Sequence, residues 1–144
     1  MNNADQIEYW NGPAGQKWVD QSDRLDAMLA PFADKVIAAA DLKPGESVMD
    51  IGCGAGALTL LAAAEVGDEH GALGVDVSAP LIALARARAA TAKAPARFEL
   101  ADASVFTAPD PVDIVISRFG VMFFEDPAAA FANIRQSVKP GGRL

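Results

Sequence analysis

The stretch SVMDIGCGAGALTLLAAAEV, from Ser47 to Val66, decides the fold. Ser47 to Ile51 reads as a short buried strand, Gly52 to Ala57 as a glycine-rich turn, and the apolar run after it as a helix. A strand that enters a helix through such a turn aims backbone N–H groups at whatever sits on the helix N-terminus. Glycines let the backbone approach a ligand closely. Taken alone, Gly52-Cys53-Gly54-Ala55-Gly56-Ala57 satisfies the dinucleotide pattern G-x-G-x-x-G/A, a match that any tight strand–turn–helix corner can produce. Asp50, two positions before the first glycine, narrows the choice. Its carboxylate would repel a pyrophosphate and suits a ligand with positive charge and hydroxyl or ammonium donors.

Outward from this corner, helical and strand-like segments alternate, as in an α/β sheet of parallel strands. Upstream, Leu25, Met28, Leu29, Phe32 and Val36 form a helical stripe that Ser22 can cap and that Pro31 should kink or split. Downstream, strands are expected at Leu73 to Val77, Arg97 to Ala101 and Val112 to Ser117. Ser78 and Pro80 open a helix between the first two of these. The segment SVFTAPDP is too short and proline-rich for a full helix. Asp126-Pro127 caps a last helix with Phe131, Ile134 and Val138 on its buried side. Pro140-Gly141-Gly142 should stop it, leaving Arg143-Leu144 as the first step of a fifth strand. The expectation is a sheet truncated before that strand, with the edge at Val112 to Ser117 exposed to self-association.

The 144 residues suit one domain, with 51% hydrophobic and 22% charged residues. Thirty of the hydrophobic positions are Ala, so core area falls to Leu, Ile, Val and Phe. No run is long and apolar enough for a membrane span, and MNNADQIEYW lacks the features of a secretory signal. The net charge of −7 is the wrong sign for gripping a nucleic-acid backbone. A lone cysteine, Cys53, fits a reducing, cytoplasmic setting, and with a single His there is no zinc site of soft ligands.

Asp76 ends the second strand and can accept two hydrogen bonds from a ribose diol. Asp102 closes the third and can accept from an exocyclic amine. Strand ends of an open parallel sheet face one crevice, so Asp50, Asp76 and Asp102 should share a rim. A single Asp after a strand is an ordinary turn former or helix cap. Three at successive strand ends favour a site.

With these residues in place, DIGCGAG (Asp50 to Gly56), GVDVS (Gly74 to Ser78), ELADA (Glu99 to Ala103) and DIVISRFGVMFF (Asp113 to Phe124) resemble class I S-adenosylmethionine-dependent methyltransferases. The closing SVKPGGRL resembles the lead into that family's fifth strand. Within the family the chain is similar to small-molecule methyltransferases of the ubiquinone/menaquinone-biosynthesis type. The resemblance implies a Rossmann-like doubly wound sheet of order 3-2-1-4. It also implies a helical lid or cap over residues 1–45 and a cofactor-binding domain over 46–144, incomplete at its C-terminus. Asp50 and the backbone around Gly52 and Gly54 would hold the methionine part of S-adenosyl-L-methionine. Asp76 would take the ribose hydroxyls, Val77 and Leu81 the adenine face, and Asp102 with the Ala103 N–H the adenine amine. Ser117 and Arg118 would approach the methionine and the transferred methyl. Cys53 counts with the cofactor-facing loop, while its side chain, without a paired base, reads as a small filler.

Other residues stay open between two readings. Tyr9 and Trp10 either touch the cofactor from the lid or, with Trp18, anchor a helix. Phe119, Met122, Phe123 and Phe124 either wall a substrate pocket or form core under the last helix. His70 reads as a surface turn residue, and Arg86, Arg88, Lys93 and Arg97 as a solvated helix face. In-line methyl transfer needs alignment and dryness more than a strong acid or base. No catalytic dyad is therefore required, and the acidic charge and the resemblance together imply a small-molecule acceptor. The rival readings are an NAD-dependent oxidoreductase and a cofactor-binding fragment without turnover.

Overall fold

A computed structural model describes residues 2–144. Three helices lead: α1 (Asn3–Asn11), α2 (Pro13–Asp20) and α3 (Ser22–Ala40). Then come β1 (Val48–Ile51), α4 (Ala57–Val66), β2 (Ala72–Asp76), α5 (Ala79–Ala92), β3 (Ala96–Leu100) and β4 (Val112–Ile116). A single 3₁₀ turn (Val121–Phe123), α6 (Pro127–Arg135) and β5 (Val138–Arg143) complete the chain. The sheet is parallel throughout and ordered β3-β2-β1-β4-β5. The reversal between β1 and β4 is the topological switch point, where open α/β sheets build their crevice.

Both faces of the sheet are covered, which is why the strands read as near-continuous apolar runs. Val48, Ile114 and Ile116 pack with Leu58, Ala62 and Val66 of α4 and with Ala33 and Ala40 of α3. On the opposite face Met49, Ile51, Val75 and Val115 meet Ile134 of α6. Ile82, Ala85 and Ala89 of α5 close over Phe98. At α6, Asp126 caps as expected, accepting from the Ala129 N–H at 2.9 Å.

The structure corrects the expectation of a sheet truncated before its fifth strand. Residues 138–143 are β5, registered on β4 through Val112 with Val138 and Ile114 with Arg143. Helix α6 ends at Arg135, so Pro140-Gly141-Gly142 is not its stop. These residues sit in an irregularity inside the strand, where Gly141 takes φ +80° and more residues are threaded than β4 presents opposite. Arg143 fastens the end, donating to both carboxylate oxygens of Glu46 at 2.8 and 2.9 Å and to the Ala40 carbonyl at 2.9 Å. Consequently β4 has partners on both sides, and the expected open edge at Val112 to Ser117 does not exist.

Smaller corrections share one cause, tertiary packing overriding local signals. Pro31 does not split α3, because Ala33, Val36, Ile37 and Ala40 beyond it are held in the core. Gln21, not Ser22, occupies the N-cap position. Val138 belongs to β5 rather than to α6, whose buried residues are Ala130 and Ile134.

Candidate functional site

A cleft of about 390 Å³ opens at the C-terminal ends of the strands. Its floor is the glycine loop, and its rims are the ends of β2 and β3, the turn after β4, and α1 to α3. The loop spends four of its own N–H groups. Gly52 and Cys53 donate to the Val75 carbonyl at 2.9 and 3.2 Å, and Gly56 donates to the Cys53 carbonyl at 2.9 Å. Gly54 donates to Asp76 Oδ2 at 2.8 Å. At Gly52, with φ +68°, a Cβ would sit 2.5 Å from Gly120 Cα, so glycine here lets the loop touch the turn after β4.

Asp76 stands at the centre. Its second oxygen accepts from the Ser78 N–H at 2.9 Å, and burial pushes its carboxyl above the usual range. Asp102 accepts from the Ser104 N–H at 2.9 Å and from the Asn3 side-chain amide of α1. Gly52, Cys53, Gly54, Asp76, Val77, Leu81, Asp102, Ala103, Arg118 and Trp10 all line the cleft.

Two expected residues do not. Asp50 is fully buried behind the loop, where Oδ2 accepts from the Thr59 hydroxyl at 2.7 Å and Oδ1 has no partner among the described residues. Burial pushes its carboxyl up to about 7, against the pull of Thr59 and Arg118. The common rim therefore holds two carboxylates, with the third beneath it. Ser117 turns its hydroxyl back, donating to the Ile51 carbonyl at 2.8 Å and accepting from the Gly120 N–H at 3.1 Å. It shapes the turn instead of facing the cleft.

The N-terminal aromatics are tied together by edge contacts. Trp10 meets Tyr9 at 5.2 Å, Trp18 at 5.6 Å and Phe123 at 5.9 Å. Trp10 and Trp18 line the cleft, whereas Tyr9 does not. Asn11 fixes α1 to the start of α5, donating to the Val77 carbonyl at 2.8 Å and accepting from the Ala79 N–H at 2.9 Å. Phe119, Phe123 and Phe124 are cleft residues, and Phe124 also packs against the core of the α6 face. Cys53 is buried, which pushes its thiol up and fits a filler.

Sequence reading missed Asn3, Gln6, Leu25, Asp26, Met28 and Leu29, all of which line the cleft. The α3 residues were visible as a stripe, but periodicity names a face and not its neighbour. Nothing near Asn3 marks it. The basic cluster is also corrected: Arg88 donates to Asp26 at 2.8 Å, Asp23 at 3.0 Å and the Ala55 carbonyl at 3.2 Å. Arg86 donates twice to the Phe98 carbonyl, at 2.7 and 3.2 Å. These arginines are partly buried struts between elements.

Residues 48–142 match the model of a family described as a methyltransferase domain. The chain belongs to this methyltransferase domain family. A phosphoethanolamine N-methyltransferase of Triticum aestivum is 36% identical over 105 residues, 72% of this chain and 20% of that protein. A Methanococcus maripaludis structure, provisionally assigned as an S-adenosyl-L-methionine-dependent methyltransferase, superposes with a TM-score of 0.72 at 26% identity, covering 90% of this chain and 59% of the other. A Thiobacillus denitrificans methyltransferase in complex with S-adenosyl-L-homocysteine gives 0.63 at 25% identity over 76% of this chain and 44% of its own. The chain thus spans about a fifth of the wheat relative's length. No described helix is long and apolar enough to cross a membrane.

Proposed function

We propose that the cleft holds S-adenosyl-L-methionine and that this domain serves methyl transfer to a small molecule. One observation carries the reading: the glycine loop donates to Asp76, beside Asp102, in a cleft whose lining includes a single cation, Arg118. A pyrophosphate docked on this loop would meet the carboxylates of Asp76 and Asp102. A ligand with a ribose diol, an amine and a positive charge, but no phosphate, fits these donors and acceptors. The NAD-dependent reading loses its support on the same ground.

Bound S-adenosyl-L-methionine supplies a methyl group activated on a sulfonium. The chain's residues supply placement. Each Asp76 oxygen accepts one backbone N–H and keeps a lone pair for a ribose hydroxyl. Asp102 and the Ala103 N–H serve the adenine edge, with Val77 and Leu81 against its face. The loop backbone from Gly52 to Gly54, its N–H groups already donated, offers carbonyl oxygens to the methionine ammonium, and Asp50 supports the loop from behind through Thr59 without touching the ligand. Residues 1–45 serve as a lid, Trp10 bearing on the cleft and excluding water. The acidic balance favours a small acceptor over nucleic acid, and the lone cysteine fits a cytoplasmic setting.

Thermal unfolding with S-adenosyl-L-methionine, S-adenosyl-L-homocysteine, NAD and no ligand tests this. At 100 times its dissociation constant, either adenosyl ligand should add about 2.7 kcal/mol and raise the midpoint by several degrees. Stabilisation by NAD alone would overturn the reading.

A further inference from the structure

Where α3 borders the cleft, its lining has its own chemistry. Leu25, Met28 and Leu29 of α3, Trp18 of α2, and Phe119 and Phe123 after β4 all line the cleft. Met28 and Phe119 are 62% and 48% exposed, so large apolar side chains stand in water at the mouth of a site instead of in the core.

Phe119 is held there at a conformational cost. Its backbone takes φ +64°, the left-handed region, which disfavours a non-glycine residue by about 1–2 kcal/mol. The tight contact of Gly120 with Gly52, and the Ser117 hydroxyl on the Gly120 N–H, impose that turn. The result is a ring 5.3 Å from Phe32 of α3, edge to face, so α3 and the turn after β4 meet through aromatic groups.

Charge in this part of the cleft is already neutralised. Arg118 lies 4.0 Å from Asp26 and donates to the Leu29 carbonyl at 3.5 Å, while Asp26 also receives Arg88 at 2.8 Å. Among the described lining residues no other cation is available to a phosphate, and no unpaired carboxylate in this part is left for an ammonium.

We infer that this part of the cleft takes an uncharged acceptor with a flat apolar face, gripped between Met28 and Phe119, and not phosphoethanolamine. The inference rests on the reading of the cleft as a methyl-transfer site. Calorimetric titration of the chain saturated with S-adenosyl-L-homocysteine tests it, with 2-naphthol, ethanolamine and phosphoethanolamine as probes. The expected result is binding of 2-naphthol and of neither other probe. Met28→Ser and Phe119→Gly should each weaken 2-naphthol at least fivefold while far-ultraviolet dichroism stays that of the parent; glycine is chosen because it accepts the left-handed backbone. Binding of phosphoethanolamine or ethanolamine, absence of 2-naphthol binding, or 2-naphthol binding unchanged in both variants would overturn the inference alone. Failure of S-adenosyl-L-homocysteine itself to bind would overturn the underlying reading as well.

Discussion

Asp50 shows how one side chain can be placed correctly in the chain and wrongly in space. Strand residues alternate between faces, so Asp50 shares the face of Val48, beneath α4, and meets Thr59 instead of the cleft. Asp76, the last residue of its strand, escapes that alternation and reaches the loop. Motif spacing identifies both residues, but only the pleat and the overlying helix separate contact from support. Burial raises the Asp50 carboxyl from 3.8 to about 7, so between those values the folded chain keeps a proton that the unfolded chain has released. Stability is then fully present below about pH 4 and falls as pH rises towards 7. Asp50→Asn can still accept from Thr59 and never ionises. In urea unfolding it should be on the order of 4 kcal/mol more stable than the parent at pH 8, measured relative to the difference at pH 4. The same difference at both pH values would show that Asp50 is not the titrating group.

Among the elements, α3 was legible as a helix and illegible as a wall. Its stripe divides by position: Val36 packs on the core with Ala33 and Ala40, while Leu25, Met28 and Leu29 turn to the cleft. A period of 3.6 residues cannot encode that division, which depends on where the sheet ends beneath the helix. The charged residues of α5 were misread for a related reason. Arg88 looks solvated on its own helix, yet it spans to Asp23 and Asp26 of α3 and to the Ala55 carbonyl of the glycine loop. Arg88→Ala should therefore cost about 1.5–3 kcal/mol in denaturant unfolding, the range for hydrogen bonds to charged groups. A loss below about 0.5 kcal/mol would return Arg88 to the class of ordinary surface residues.

For the whole molecule, strand–helix alternation and the glycine corner were enough to foresee a parallel sheet, and the family resemblance supplied its order through β4. The fifth strand was missed because Pro140-Gly141-Gly142 carries the local signature of a stop, whereas pairing with β4 and the Arg143–Glu46 contact extend the sheet through it. The same long-range logic assembles the cleft: β2 ends on Asp76, the turn after β3 carries Asp102, the switch point supplies the crevice, and α1 to α3 supply a wall that no motif announces. The central claim is that this arrangement grips an adenosyl ligand through the carboxylate of Asp76. It is tested most directly by calorimetric titration of S-adenosyl-L-homocysteine into the parent chain and into Asp76→Asn. One saturable site on the parent chain, weakened at least tenfold in Asp76→Asn, is the predicted result. Equal affinity in the two proteins, or no binding to the parent chain, would contradict the account.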